Sequence, residues 1–330
     1  VDGPSEPGGG GIRVGVIGVG HLGRQHARVY HELPGARLVG VTDSNRDRAG
    51  QVAREFGCRA YESTQALLAD VEAVSVAVPT PWHAQEGLTV LSSGVHLLVE
   101  KPIARTLAEA DQLVEAADRR GLVLQVGHVE RFSGAVEEAI RIADNPRFLE
   151  CHRLGAFNPR GSDVAVVLDL MIHDLDIVLH LVRDDVVRVD AVGIPVLTDH
   201  TDIANARLEF QNGAIANLTA SRVSREQMRK IRFFQANAYV SIDCLGGAAD
   251  VYRRSVAGPP APQGIRIEHE RVEPEGGEPL KKELGAFLEC VESGAAPLVS
   301  GAVGRAALDV ALRVIADIES RRRAFPTPVR

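Results

Sequence analysis

What the chain of 330 residues lacks narrows its possible functions before any motif is read. No apolar run approaches the roughly 20 residues that a membrane-spanning helix requires, so a role inside a bilayer is not expected. Basic side chains do not predominate: 37 Lys and Arg stand against 44 Asp and Glu, a formal net charge of −7. That balance argues against nucleic acid or an anionic membrane as a partner, while leaving room for a local phosphate pocket. The four cysteines, Cys58, Cys151, Cys244 and Cys290, lie far apart and form no CxxC pair. They read as reduced thiols in a cytoplasmic protein. There is no HExxH motif either, and Asp169, His173 and Asp176 on one helix cannot all converge on zinc, so no metal is expected. Residues 1–11, VDGPSEPGGGG, carry no basic or apolar segment of the secretory kind and read as a flexible leader.

The 45% hydrophobic content is enough for a large core in a chain of a length at which single cores usually divide. Two domains are expected, at 12–128 and 129–330, with the last helix able to pack back on the first. From Ile12 to Gly127, β-branched runs (12–17, 37–42, 73–78, 96–99 and 123–126) alternate with helical patterns (21–31, 45–56, 82–93 and 106–119). Such alternation predicts an α/β fold with a doubly wound parallel sheet. The second half predicts an α+β domain. A helix (134–143) and a strand (148–153) lead to an apolar helix (169–182), and then come strands at 186–192, 202–210, 214–221, 231–235, 239–243 and 265–272. Asn212-Gly213 between two of these runs signals a hairpin, and the sheet is expected to be open and mainly antiparallel.

Residues 13–24, RVGVIGVGHLGR, place Gly18, Gly20 and Gly23 in G-x-G-x-x-G spacing directly after an apolar strand. Gly18 allows the tight turn, Gly20 the approach of a pyrophosphate, and Gly23 the packing of helix on strand. His21 and Leu22 open that helix, and its N-terminus faces the phosphates. The second strand ends at Asp43, whose carboxylate can accept ribose hydroxyls and would repel a 2′-phosphate, so NAD is the expected cofactor. Arg46 close by could serve a 2′-phosphate, but on the NAD reading it covers the adenine or faces solvent.

Two further segments carry titratable chemistry. VHLLVEKP (95–102) ends a buried strand with Glu100, Lys101 and Pro102, at the strand edge where open α/β sheets bind ligands. VVLDLMIHDLDIVL (166–179) sets Asp169, His173, Asp176 and, further on, His180 in a narrow stripe on a helix that is otherwise apolar. An i, i+4 Asp–His pair that satisfies itself in a core is the plain alternative. Thr80, Pro81, Trp82 and His83 follow another strand and share the cofactor edge, and Trp82 lines that pocket or packs in the core.

Together GVIGVGHLG, Glu100-Lys101-Pro102 and DLMIHDLD (169–176) resemble the glucose–fructose oxidoreductase and inositol dehydrogenase (Gfo/Idh/MocA) family. The resemblance covers the chain from about Ile12 and implies a Rossmann domain, an α+β substrate domain, and Lys101, Asp169 and His173 as catalytic residues. QVGHVERF (125–132) further resembles the branch that oxidises the 3-hydroxyl of UDP-N-acetylglucosamine, although Ser133-Gly134 stands where that branch continues with Asn-Pro.

Oxidation of a secondary alcohol needs a base near neutral pH and a group that steadies the oxygen; His173 and Lys101 can each fill the first role. Asp169 would orient the imidazole or bind a neighbouring hydroxyl. His128 and Arg131 are candidate substrate residues, Arg131 pairing with a phosphate or with Glu130. Arg153 or Arg160 is expected on a diphosphate. Oxidation of a free sugar or cyclitol, and non-catalytic binding of NAD and a ligand to regulate a partner, are the alternatives. A homo-oligomer, dimer or tetramer, is expected because one sheet face would otherwise expose apolar residues.

Overall fold

The computed structural model describes residues 11–158, 161, 164–255, 266–273 and 276–324, and these fall into two compact units. One runs to Gly127 and includes Leu280–Arg305; the other comprises His128–Pro279 and the chain from Ala306 onward.

The first unit alternates strand and helix: β1 (Ile12–Ile17), α1 (His21–Glu32), β2 (Ala36–Thr42), α2 (Arg46–Phe56), β3 (Arg59–Ala60), α3 (Thr64–Leu68), β4 (Ala73–Val76), α4 (His83–Ser92), β5 (His96–Glu100), α5 (Leu107–Arg120) and β6 (Leu124–Gly127). Among the described residues the strands form one parallel sheet in the order β3-β2-β1-β4-β5-β6, the doubly wound arrangement. Val14, Val16, Val74, Val76, Leu97, Leu98 and Val99 are fully buried, because helices cover both faces of such a sheet. Local chemistry sets the helix ends. Asn45 caps α2 by accepting from Arg48 N at 3.0 Å, and Thr106 and Glu109 form a reciprocal capping box on α5. Gly57 and Gly121 end these two helices in the left-handed conformation. Residues 80–82 form a separate 3-10 turn before α4.

The second unit holds α6 (Gly134–Ile142), β7 (Phe148–Leu154), α7 (Ile172–Val182) and the strands β8 (Val186–Ile194), β9 (Ile203–Phe210), β10 (Ile215–Ser221), β11 (Met228–Gln235), β12 (Ala238–Asp243), β13 (Ala248–Ser255) and β14 (Arg266–Val272). Two helices close the chain, α8 (Pro279–Ser293) and α9 (Gly301–Ala324). The start of α8 and its following loop belong with the first unit: Val126 N donates to Val299 O at 2.9 Å and Gln125 Nε2 to Glu283 O at 3.1 Å. The sheet order among described residues is β14-β13-β12-β11-β7-β10-β9-β8, antiparallel except for β7 beside β10. β13 was not legible in the sequence, because its run AADVYRRS mixes Ala, Asp and Arg.

One face of this sheet is the core. Leu149 and Cys151 of β7, Leu218 of β10, Phe233 of β11 and Val240 of β12 alternate inward against Ile172, Leu175 and Val178 of α7 and Ala307, Ala311 and Val314 of α9. Burying each Leu, Val or Phe side chain contributes about 1.5–3 kcal/mol, and cutting Leu218 to Ala would cost about 2–5 kcal/mol. Asn212-Gly213 makes the β9–β10 turn, with Gly213 at φ +81° and Asn212 Oδ1 accepting from Ala214 N at 2.9 Å.

Candidate active site

The glycines of the first βα turn are fixed by space. Gly18 has φ +83°, and a Cβ there would lie 2.7 Å from Val78 Cγ1; one on Gly23 would lie 1.8 Å from Gly18 O. At Gly20, by contrast, a Cβ would meet nothing within 4 Å. The α-carbon of Gly20 faces open space, and this residue caps α1 without a side-chain hydrogen bond. His21 and Leu22 are exposed on the first turn. An uncapped helix N-terminus behind an open glycine fits the pyrophosphate of a dinucleotide.

The Asp43 carboxylate accepts from Val19 N at 2.8 Å, Asn45 N at 2.7 Å, and Arg48 Nε and Nη2 at 3.0 and 2.7 Å. Burial pushes its pKa up, but Arg48 and the backbone N–H groups outweigh burial and hold it below the ordinary carboxylate value. Arg46 sits exposed on the first turn of α2, and Arg48, which sequence reading passed over, is the arginine on Asp43. The signal was present: a residue three past the N-cap Asn45 is carried back toward the end of β2.

At the end of β5 the Lys101–Pro102 peptide is cis. Glu100, expected among the cofactor contacts, is instead turned into the core, with only 7% of its surface exposed. Its Oε1 lies 2.9 Å from His26 Nε2, and its Oε2 accepts from Lys101 N at 3.2 Å. His83, another expected cofactor contact, is also buried; its Nδ1 lies 2.8 Å from Pro102 O and its Nε2 2.8 Å from Val78 O. Burial lowers its pKa, against the opposing effect of these two carbonyls. His83 therefore stands between the segment after β4 and the Lys101–Pro102 turn, its single N–H in the neutral form donating to one of the two carbonyls. Pro81 and Trp82 are exposed, Trp82 at 53%, and Thr80 is half-buried; Trp82 is not a core residue.

In the second unit the apolar helix begins earlier than its sequence pattern suggested, with a π turn over Val167–Met171 that carries Asp169 and runs into α7 with His173. Such turns widen the helix and redirect its side chains. Gly161, at φ +72°, approaches so closely that a Cβ would lie 2.7 Å from Asp169 Oδ2. His173 is half-buried, and the ring of His128, itself 1% exposed, stands edge-on to it at 6.3 Å between centroids.

The two other acids of α7 are spent on arginines. Arg131, fully buried, pairs with Asp176 (Nη1 to Oδ1, 3.2 Å) and not with Glu130, and its burial leaves no guanidinium surface for a phosphate. Arg153 is held by Asp174 (Nη2 to Oδ1, 2.8 Å) and Glu130 (Nη1 to Oε1, 2.8 Å), so the guanidinium that was expected on a diphosphate is already committed. Burial lowers the Arg153 pKa, but the two carboxylates outweigh it and keep the group charged. Arg160 lies outside the described residues.

Arg229 faces Arg153 directly across β7 and β11. Like charges in that position repel, and Glu130 bridges them, 3.5 Å from Arg229 Nη1. Neither Asp174 nor Arg229 was singled out in the sequence. Arg153 and Arg229 line a cavity of about 280 Å³, together with Asp169, Arg222, Gln227 and Asn158. Arg222 is committed to Asp202 at 3.0 Å, whereas the Arg229 side chain is 47% exposed. Among the described residues no three His, Cys, Asp or Glu gather as a metal site.

Comparison with known proteins agrees with these two halves. Residues 12–128 match the model of an oxidoreductase family with an NAD-binding Rossmann fold, and residues 147–240 match the GFO/IDH/MocA C-terminal domain. UDP-N-acetylglucosamine 3-dehydrogenase of Acidithiobacillus ferrooxidans is 41% identical over 310 residues, covering 94% of this chain and 98% of that one. The solved structure of that protein superposes with a TM-score of 0.88 at 40% identity, again covering 94% and 98%. The NAD-dependent scyllo-inositol 2-dehydrogenase of Bacillus subtilis is 31% identical over 64% of this chain and 68% of its own. The chain thus belongs to the GFO/IDH/MocA family of NAD-binding oxidoreductases.

Proposed function

We propose that this protein oxidises the 3-hydroxyl of UDP-N-acetylglucosamine to the 3-keto sugar. The observation that carries this reading is the similarity to a UDP-N-acetylglucosamine 3-dehydrogenase along 98% of that enzyme's length. NAD, when bound, supplies the hydride acceptor. Gly18, Gly20, His21 and Leu22 cradle its pyrophosphate, and Asp43 takes its ribose. His173 removes the hydroxyl proton, being the side chain whose ordinary pKa suits a base near neutrality. Lys101 donates a hydrogen bond to the same oxygen and offsets its growing negative charge. Asp169, on the preceding turn, sets the imidazole or holds an adjacent hydroxyl. Arg229, the lining arginine with the least committed guanidinium, meets the diphosphate.

Absorbance at the NADH band tests the reading, with NAD and UDP-N-acetylglucosamine set beside myo-inositol, glucose and the corresponding uronate nucleotide sugar. Reduction with the nucleotide sugar alone is expected. Turnover of the free polyol alone would favour the second reading, a cyclitol dehydrogenase, which the 31% identity to the inositol enzyme supports.

The four free thiols fit a reducing, cytoplasmic setting, and no described helix is long and apolar enough to cross a membrane. Self-association is proposed through the open sheet face. There Phe148, Phe234, Tyr239, Tyr252 and His269 stack across five adjacent strands, with successive centroids 5.7, 4.8, 5.4 and 4.5 Å apart. Sedimentation of Phe234→Glu beside the parent should show a smaller species; an unchanged mass would remove this face from the assembly.

A further inference from the structure

The strand that delivers Lys101 ends in a buried polar arrangement that the proposed reaction does not use. Glu100 is enclosed on three sides. His26, on α1 and fully buried, contacts Oε1 at 2.9 Å; the Lys101 N–H occupies Oε2 at 3.2 Å; and β6 passes so close that a Cβ at Gly127 would lie 2.8 Å from the carboxyl carbon. Gly127 therefore leaves room for this carboxylate, and a carboxylate buried to this degree needs strong partners to persist. The charged and titratable groups that bear on it are His26 from α1, Lys101 from its own strand end and His83 from α4. The same turn is tied from its far side by His83, 2.8 Å from Pro102 O.

We propose that Glu100, itself fixed by His26, is a positioning residue for Lys101: it anchors the lysine's backbone and holds its side chain as an ammonium ion. The functional consequence rests on the reading of Lys101 as the group that steadies the reacting oxygen. A lysine that stays protonated donates a hydrogen bond and offsets negative charge, and the proton of the alcohol then passes to His173. Burial by itself would raise the Glu100 pKa, but His26 and, behind it, the Lys101 charge outweigh burial and lower it.

The chain has four lysines, Lys101, Lys230, Lys281 and Lys282, few enough for ¹³C reductive methylation to give separable amine resonances assignable by single substitution. The full-length protein and its Glu100→Gln variant are titrated by NMR. In Glu100→Gln the Lys101 resonance should titrate about one pH unit or more lower, since an opposite charge at close range shifts a pKa by about 1–3 units. The basic limb of kcat/KM should move with it, while NAD affinity stays within about threefold. A Lys101 titration that does not move overturns the proposal whatever happens to activity. If Glu100→Gln does not fold, Glu100→Ala, which also removes the charge, replaces it and should lower the Lys101 titration in the same way. An unmoved Lys101 in Glu100→Ala is again decisive against the proposal. Absence of NAD reduction by the parent with any nucleotide sugar would sink the functional reading alone, because the amine titration does not depend on the substrate.

Discussion

The guanidinium of Arg48 lies across the carboxylate of Asp43, Nη2 to Oδ1 at 2.7 Å and Nε to Oδ2 at 3.0 Å, while Val19 N and Asn45 N occupy the same two oxygens. A carboxylate has about four acceptor positions, so these four donors fill it. For Asp43 to take the ribose hydroxyls, Arg48 has to swing aside, and its exposed side chain is free to do so. Arg48→Ala should therefore leave NAD affinity equal or tighter and weaken NADP about fivefold or more, because a cation near the 2′-position is lost. Asp43→Ala should do the reverse, weakening NAD about tenfold and narrowing the preference. Fluorescence titration of both cofactors reads these changes, and a parent protein that prefers NADP would refute the role given to Asp43.

His173→Ala should cut turnover about a hundredfold or more and leave NAD affinity nearly intact, since a general base acts on the transition state and not on cofactor binding. Steady-state rates and cofactor titration on the same preparation separate the two effects. Turnover like that of the parent would remove His173 from the mechanism and return the role of base to Lys101.

Local rules wrote much of this fold into the sequence. The G-x-G-x-x-G turn and the Asn212-Gly213 hairpin each depend on a few neighbouring residues, and each stands where spacing placed it. Partners brought together by tertiary structure were harder to see. Glu130 and Arg131 are adjacent in sequence, yet they go to different partners, Arg153 and Asp176. Nothing in the helical stripe distinguishes Asp176, buried on Arg131, from the half-buried Asp169. The inward turn of Glu100 was hidden for the same reason: its partner His26 lies 74 residues away on α1.

Arg229→Gln tests the diphosphate assignment. A hydrogen bond to a charged group contributes about 1.5–3 kcal/mol, which corresponds to roughly ten- to hundredfold in affinity. KM for the nucleotide sugar should rise by about that factor with little change in kcat, and slow turnover of a free sugar lacking phosphate should be untouched. A loss shared equally by both substrates would mean that Arg229 serves the Glu130–Arg153 network and not the ligand. Arg153→Gln should differ in kind: it strands the buried carboxylate of Asp174 and lowers thermal stability, as breaking a buried pair costs about 3–5 kcal/mol.

Acid should weaken the fold through His180. Burial, and after it the charge of Arg131, pushes this imidazole down to about 4, with Asp176 opposing and Arg183 adding to the shift. Between pH 6.5, the ordinary histidine value, and about 4, the unfolded chain takes up a proton that the folded chain refuses. Its contribution is complete above that window and is lost as pH falls through it, with no further loss below. His83 and His96, also lowered by burial, act in the same direction, so the test is a change of slope and not its disappearance. Asp202, held below the ordinary carboxylate value against burial by the N–H groups of Val196, Leu197 and Thr198, loses its contribution only at more acid pH. Urea midpoints at pH 7.5 and 5.0 should therefore differ less in His180→Gln than in the parent, and equal differences in the two proteins would rule out His180 as a source of the acid sensitivity.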